Sequence, residues 1–257
     1  MTLQIKGIRL LTILFSPAEG KHQGGNEPKK ELFGSDKARV DILSIYNEIV
    51  LNNDEKELEK LFGIKNSKDF EPYLDGIYNE ALMCAIQRYS GVAYEYLDFD
   101  SLEESAQEYL KKNVLIFSNL YGPILGSDTI ANYKVHQGTN IGSIAPDKYY
   151  KDRFSYQLDL YLADKEILDL RAGYYDKFYK TDKPYTTLKF LKDGKTVSHW
   201  AKAYRGIVLR EIAKHKVASI EEFHKLEIQG LYPEGTLHVR EIKTIKNKTE
   251  IVYDIGA

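Results

Sequence analysis

The run Thr196 to Lys216, TVSHWAKAYRGIVLREIAKHK, carries the most suggestive chemistry in the chain. Lys202 and Arg205 are three apart, a spacing that sets two cations on one helix face, where they can hold an anion such as phosphate. Gly206 follows directly. It costs a helix about 1 kcal/mol relative to alanine, and it opens the backbone beside Lys202 to a ligand or another chain. A solvated Lys/Arg face with an incidental glycine is the plain alternative. A second cluster, Ser16-Pro17-Ala18-Glu19-Gly20-Lys21, puts a hydroxyl, a carboxylate and an amine within six residues. Glu19 has the chemistry of a general acid or base, and Lys21 or Lys202 that of an amine nucleophile or phosphate anchor. Ser16, Lys134 and Arg171 add further anion-binding groups.

These groups need elements to bring them together. Residues 8–15, IRLLTILF, are an apolar run of strand length, as expected of a strand covered on both faces, and they deliver the Ser16–Lys21 loop. Val114–Phe117 is a second such strand, turned at Ser118-Asn119-Leu120-Tyr121-Gly122-Pro123. Ile167–Leu170 is a third, leading into Arg171-Ala172-Gly173-Tyr174. Ala203, Tyr204, Ile207, Val208 and Ile212 give the Lys202 helix a buried stripe. In a mixed sheet with helices packed on it, strand ends of this kind can gather into one crevice. If the Lys202 helix borders that crevice, it holds Glu19, Lys21, Arg171, Lys202 and Arg205, a set suited to a phosphate-bearing ligand. The expected fold is therefore α/β, mixed α+β in detail: a central mixed sheet flanked by helices, with an electropositive crevice.

Elsewhere, Ser35 is placed to cap a helix faced by Ile42, Leu43, Ile45, Tyr46, Ile49 and Val50. Leu58–Leu74, LEKLFGIKNSKDFEPYL, reads as a short helix, a Gly63-Ile64-Lys65-Asn66 turn and a second short helix. It resembles a helix-hairpin-helix element over about 56–74, in which Gly63, Lys65 and Lys68 would meet a DNA phosphate. Many helical hairpins share that pattern without touching DNA. The spacing predicts a helix over Ile77–Arg88, a helix over Tyr156–Leu162, and capping boxes at Ser101/Glu104 and Ser219/Glu222. It also predicts a hairpin turned at Asp193-Gly194 and a closing strand pair, Thr236–Ile245 with Lys248–Ile255. Residues 22–34 read as a mobile loop and 123–150 as a long irregular one. No linker divides the chain, so 1–257 is expected to form a single domain.

With 257 residues, 43% hydrophobic and 29% charged, the composition is that of an ordinary soluble globular protein. The net charge of −2 excludes a globally basic nucleic-acid protein, yet eleven Lys/Arg against three Asp/Glu lie between residues 177 and 216. One electropositive face, and so an anionic partner, is expected from that asymmetry. The lone Cys84 excludes an internal disulfide and fits a reducing cytoplasm; its apolar neighbours make it a core residue. No apolar run has membrane-spanning length, and the opening MTLQIKGIRLLTILFSPA, without a small-x-small cleavage site, reads as a buried first strand rather than a signal peptide. There is no Walker loop, paired-histidine metal motif, cysteine cluster or nucleophile elbow. No metal site and no cofactor are expected, and His199, at a strand–helix junction, reads as structural.

Taken together, SPAEGK (16–21), RYSGVAYEYLDFDSL (88–102), SNLYGPILGSDTIANYKVHQG (118–138), LDLRAGYY (168–175) and VSHWAKAYRG (197–206), in this order, resemble the YaaA family of bacterial peroxide-stress proteins. The resemblance implies a cytoplasmic protein that protects cells from hydrogen peroxide by limiting free iron. It further implies a single-domain α/β fold with a helix-hairpin-helix and a basic cleft, and DNA binding. Lys202, Arg205 and Gly206 match the family's Lys-x-x-Arg-Gly, and Ser16 and Pro17 its first loop. Glu19 and Lys21 follow the branch that reads Ser-Glu-Gly-Lys. Lys134 stands where many members have arginine, which removes two-pronged binding of an anion there.

Two functional readings are open. In one, a DNA-binding stress protein neutralises backbone phosphates without reading sequence. In the other, an enzyme acts on a nucleobase, nucleotide or DNA lesion as a lyase or glycosidase, with Glu19 as acid/base and Lys21 or Lys202 as amine; its ligand is small, anionic and nucleotide-like. Direct iron binding would need a carboxylate site, and nothing in the sequence favours one. No membrane partner is expected.

Overall fold

Leu11–Phe15 (β1) is buried at every position, so both faces of this strand are covered, as its unbroken apolar run requires. The structure, a computed structural model, describes residues 10–79, 81–228 and 237–255, with Ser198 and His199 described by backbone alone. After β1 come β2 (Gly20–Lys21), α1 (Val40–Asn52), α2 (Glu55–Phe62), β3 (Met83–Cys84), α3 (Ala85–Arg88), β4 (Tyr89–Ser90), α4 (Val92–Leu97) and α5 (Glu104–Asn113). Next are β5 (Val114–Ser118), β6 (Gly122–Leu125), β7 (Thr129–Ile130), α6 (Pro146–Tyr161), β8 (Glu166–Asp169), β9 (Tyr185–Lys192), β10 (Lys195–Thr196), α7 (Ser198–His215), α8 (Ile220–His224), β11 (His238–Ile245) and β12 (Lys248–Asp254).

The main sheet is mixed and has eight strands, in the order β11-β12-β9-β8-β1-β5-β6, with β10 paired to β9. β8, β1 and β5 run parallel side by side. Their carboxyl ends therefore open on the same edge, the position where α/β sheets present ligands. The central mixed sheet flanked by helices is the α/β arrangement read from the sequence. The β9–β10 hairpin turns at Asp193 and Gly194, both with positive φ, as a two-residue hairpin loop demands. In α7 the stripe Ala203, Tyr204, Ile207, Val208 and Ile212 is buried as its spacing requires.

Several expectations fail for identifiable reasons. The helix anticipated over Ile77–Arg88 is reduced to α3, because β3 pairs with β7 and the Ala85 and Ile86 amides donate to the Asp128 and Gly126 carbonyls instead of to a preceding turn. Cys84 is buried, but in a strand. Residues 22–34 lack regular structure but are anchored: the His22 and Glu27 amides donate to the Arg88 and Leu82 carbonyls, and the Phe33 amide to the Asp128 carboxylate. The 123–150 segment holds β6, β7 and the first turn of α6, which starts at Pro146, ten residues before the helix anticipated at Tyr156. The Ser101/Glu104 box does not form, since the Ser101 hydroxyl turns back to Asp98. At α8, Ser219 does cap the Glu222 amide, while Glu222 reaches the Ala218 amide.

The 58–74 stretch is not a pair of α-helices. α2 ends at Gly63 in the left-handed region, and the chain then makes two single 3₁₀ turns, Ser67–Asp69 and Glu71–Tyr73. Pro72 and the Asn66 side chain, which accepts from the Lys68 amide, favour these short turns over a longer helix. Among the described residues no helix is long and apolar enough to cross a membrane.

Candidate functional site

The loops after β1 and β8 meet. The Ser16 hydroxyl accepts from the Ala172 amide at 2.8 Å, tying the first loop to the segment after β8. The Tyr94 hydroxyl, on α4, donates to the Ser16 carbonyl at 2.8 Å. β2 pairs with β4, aligning Gly20 with Ser90 and Lys21 with Tyr89. Behind this seam the Tyr89, Tyr133 and Ser118 hydroxyls form a buried chain, 2.8 Å and 2.7 Å apart, and Ser118 also accepts from the Leu120 and Tyr121 amides. Polar groups without water need such closed partnering.

The seam walls a crevice of about 330 Å³, lined by the Ser16–Gly20 loop, the Ser90–Tyr94 turn, Gln137, Ala172 and Tyr175, with Lys202 and Arg205 from α7. Of the expected site residues, Ser16, Glu19, Lys202 and Arg205 therefore share one cavity. Arg205 is half-buried, yet among the described residues it makes no hydrogen bond or ion pair. Burial draws its guanidinium below the ordinary arginine value, with the Asp169 charge opposing. Lys202 is exposed at the rim and likewise unpaired among the described residues.

Glu19 is held from three sides. Its carboxylate accepts from Lys134 Nζ at 3.2 Å and from the Gln137 amide at 3.1 Å, and lies 3.0 Å from His136 Nδ1. Burial works against its ionisation, but the Gln137 amide, Lys134 and His136 outweigh it and keep the carboxyl below its ordinary value. Lys134 is thus committed to Glu19 rather than free for an anion. Lys21 is not among the residues that line the crevice. Its amine donates to the Ala18 and Glu19 carbonyls, each at 3.2 Å, and sits 3.8 Å from the Tyr133 ring centre. Burial, joined by the Lys134 charge, drives that amine well below the ordinary lysine value.

Three assignments are corrected by their surroundings. Arg171 is nearly sealed from solvent: Nε and Nη2 grip the two Asp169 oxygens at 2.9 and 2.7 Å, and Nη1 donates to the Tyr175 and Tyr179 carbonyls. Four of its five N–H donors hold the loop after β8, and Asp176, 3.6 Å from Nη2, adds a second carboxylate. Gly206 does not open the backbone to a ligand. A Cβ there would run into the Ala93 carbonyl, with the carbonyl carbon at 2.9 Å and Tyr96 Cβ at 3.1 Å, because α4 packs directly on α7. Gly63, likewise, has His136 against it, a Cβ falling 2.6 Å from the imidazole Cγ. Lys65 and Lys68 are exposed on the turns beyond it.

The sequence reading missed His136 and Gln137 as partners of Glu19, since nothing local marks a side chain that reaches across 118 positions. It also missed two buried arginines. Arg39 donates to the Tyr121, Ser35 and Pro123 carbonyls. Arg88 donates to the Ile130, His22 and Ala81 carbonyls. An arginine inside the RYSG run was the available signal for the second.

Fold and site define a class: an α/β protein with a crevice at the carboxyl ends of two adjacent parallel strands, β1 and β8, between a Ser-Pro loop and a Lys-x-x-Arg-Gly helix. The chain belongs to the YaaA family, described as peroxide stress protein YaaA, whose match covers residues 11–235. It is 42% identical over 253 residues to an uncharacterized protein of Campylobacter jejuni, covering 95% of this chain and 99% of that one. A UPF0246 protein of Fusobacterium nucleatum is 28% identical over 229 residues, 86% of this chain and 92% of its own. A UPF0246 protein of Francisella tularensis is 29% identical over 190 residues, 68% and 72% of the respective chains.

Proposed function

We propose that this peroxide-stress protein acts in the cytoplasm by binding DNA without sequence preference, seating a backbone phosphate in the crevice against Arg205 and Lys202, and so limits damage from hydrogen peroxide and free iron. The observation that carries this reading is Arg205: a half-buried guanidinium with no counter-charge in hydrogen-bond range among the described residues. Desolvating such a cation without a partner costs free energy, which a bound phosphate returns through two-pronged hydrogen bonds. Lys202 on the same wall adds a second positive charge.

The test is fluorescence anisotropy of labelled single-stranded and duplex DNA across a salt series, for wild type and for Lys202→Ala/Arg205→Ala. Losing the one phosphate contact that these two residues hold removes about 0.7–0.9 from the logarithmic salt slope, so the double variant should bind more weakly and with a slope flatter by about that amount. Binding that ignores salt, or a variant that matches wild type, refutes the reading.

A second reading has its own observation: Glu19, kept ionised by Lys134 and His136, lines the same enclosed crevice as the free Lys202 amine. An acid/base beside an amine suits an enzyme acting on a nucleobase, nucleotide or DNA lesion. Lys202, rather than Lys21, is the amine in reach. Borohydride trapping on abasic-site DNA should mark wild type and spare Lys202→Ala; no adduct in either removes the amine-nucleophile version.

A further inference from the structure

A second cavity, of about 320 Å³, lies apart from the crevice and shares no residue with it. Leu32, Ile77, Tyr121 and Ala131 are core residues that line it, joined by Leu43 of α1 and by Leu82. At its mouth Val40 and Tyr78 are more than half exposed, unusual for large apolar side chains. Lys29 and Lys30 also line it, and neither makes a hydrogen bond or ion pair among the described residues. Asp36 is the one carboxylate in the lining, and its Oδ1 is taken by the Leu32 amide at 3.1 Å.

We propose that this cavity is a separate ligand site for an anionic amphiphile: a carboxylate set against Lys29 and Lys30, with an unbranched acyl chain laid on the apolar floor. The volume sits at the low end of ligand pockets, which selects a short chain over a folded lipid. The walls offer an acyl chain apolar surface that is otherwise left in contact with water. Charge fixes the orientation, because two lysines against one carboxylate leave the lining net positive, and Asp36 Oδ1 is turned to the Leu32 amide. The segment that supplies Lys29, Lys30 and Leu32 is pinned through the amides of His22, Glu27 and Phe33, the last to the Asp128 carboxylate, so the rim is formed before any ligand arrives. The site does not depend on how the crevice functions.

Titration calorimetry with decanoate, and with decanol as its uncharged counterpart, tests this on the full chain. Wild type should bind one decanoate per chain, and Lys29→Ala/Lys30→Ala should weaken it about tenfold while leaving decanol unchanged. Leu43→Trp should fill the cavity and abolish binding of both. Val40→Trp, at an exposed position where folding is not at stake, should weaken decanoate at least severalfold. No saturable decanoate binding to wild type, equal affinity for decanol, or decanoate binding untouched by Val40→Trp and the lysine pair overturns the proposal.

Discussion

Replacing Gly206 by alanine separates two accounts of that residue. If the glycine merely exposed backbone to a ligand, alanine would raise helix stability by about 1 kcal/mol and leave the fold intact. The structure requires the opposite. The added methyl would sit inside the contact distance of the Ala93 carbonyl carbon and 3.1 Å from Tyr96 Cβ, and the first of these is backbone, which cannot turn aside as a side-chain tip can. α4 must therefore shift relative to α7. Overpacking of a tight interior costs about 1–3 kcal/mol, and collision with a carbonyl in a packed helix pair belongs at the upper end. After the propensity gain is subtracted, a net loss of about 2 kcal/mol remains. For a chain of this size that lowers Tm by about 4–8 °C, measurable by circular dichroism. Because Ala93 lines the crevice, DNA affinity should fall along with stability. A Tm that is unchanged or raised refutes the packing account.

The same geometry sets further outcomes. Arg171→Met leaves Asp169 buried without its partner, so it should cost about 3–5 kcal/mol in denaturant unfolding; a stable variant that loses only ligand binding would restore Arg171 to the anion site. Gly63→Ala must place a methyl against His136 in a left-handed backbone conformation, so it should lower stability by about 1–3 kcal/mol, whereas Lys65→Ala/Lys68→Ala, on exposed turns, should leave Tm where it is. Glu19 has a carboxyl pKa below its ordinary value of 4.5, so its contribution is complete above that pH and is lost as pH falls through the folded value. The Tm difference between wild type and Glu19→Gln should accordingly shrink under acid; a difference that grows there overturns the assignment.

How much of this was legible depended on the range of the interaction. Strands such as Leu11–Phe15 and Val114–Ser118 announce themselves because burial on both faces demands an unbroken apolar run, and the turn at Asp193-Gly194 because few residues accept its backbone. The approach of the loops after β1 and β8 was also readable, since parallel neighbours must open on one edge, whereas the Ser118–Gly122 loop, expected in the same crevice, does not line it. Residues whose role is set by a distant partner were not. Nothing near Gly206 in sequence says that the open backbone is filled by Ala93; at Arg171 the partners are local, Asp169 two residues away and the Tyr175 and Tyr179 carbonyls, but only the fold shows that they bury and occupy the guanidinium. In both cases sequence spacing identified a residue under unusual constraint and then assigned the wrong cause. A cation or a glycine in a motif marks a demand on local space or charge, and only the packing decides whether the protein or a ligand meets it. By that criterion Arg205 differs from Arg171: it is half-buried and makes no hydrogen bond or ion pair among the described residues, which is why the anion proposal rests on it.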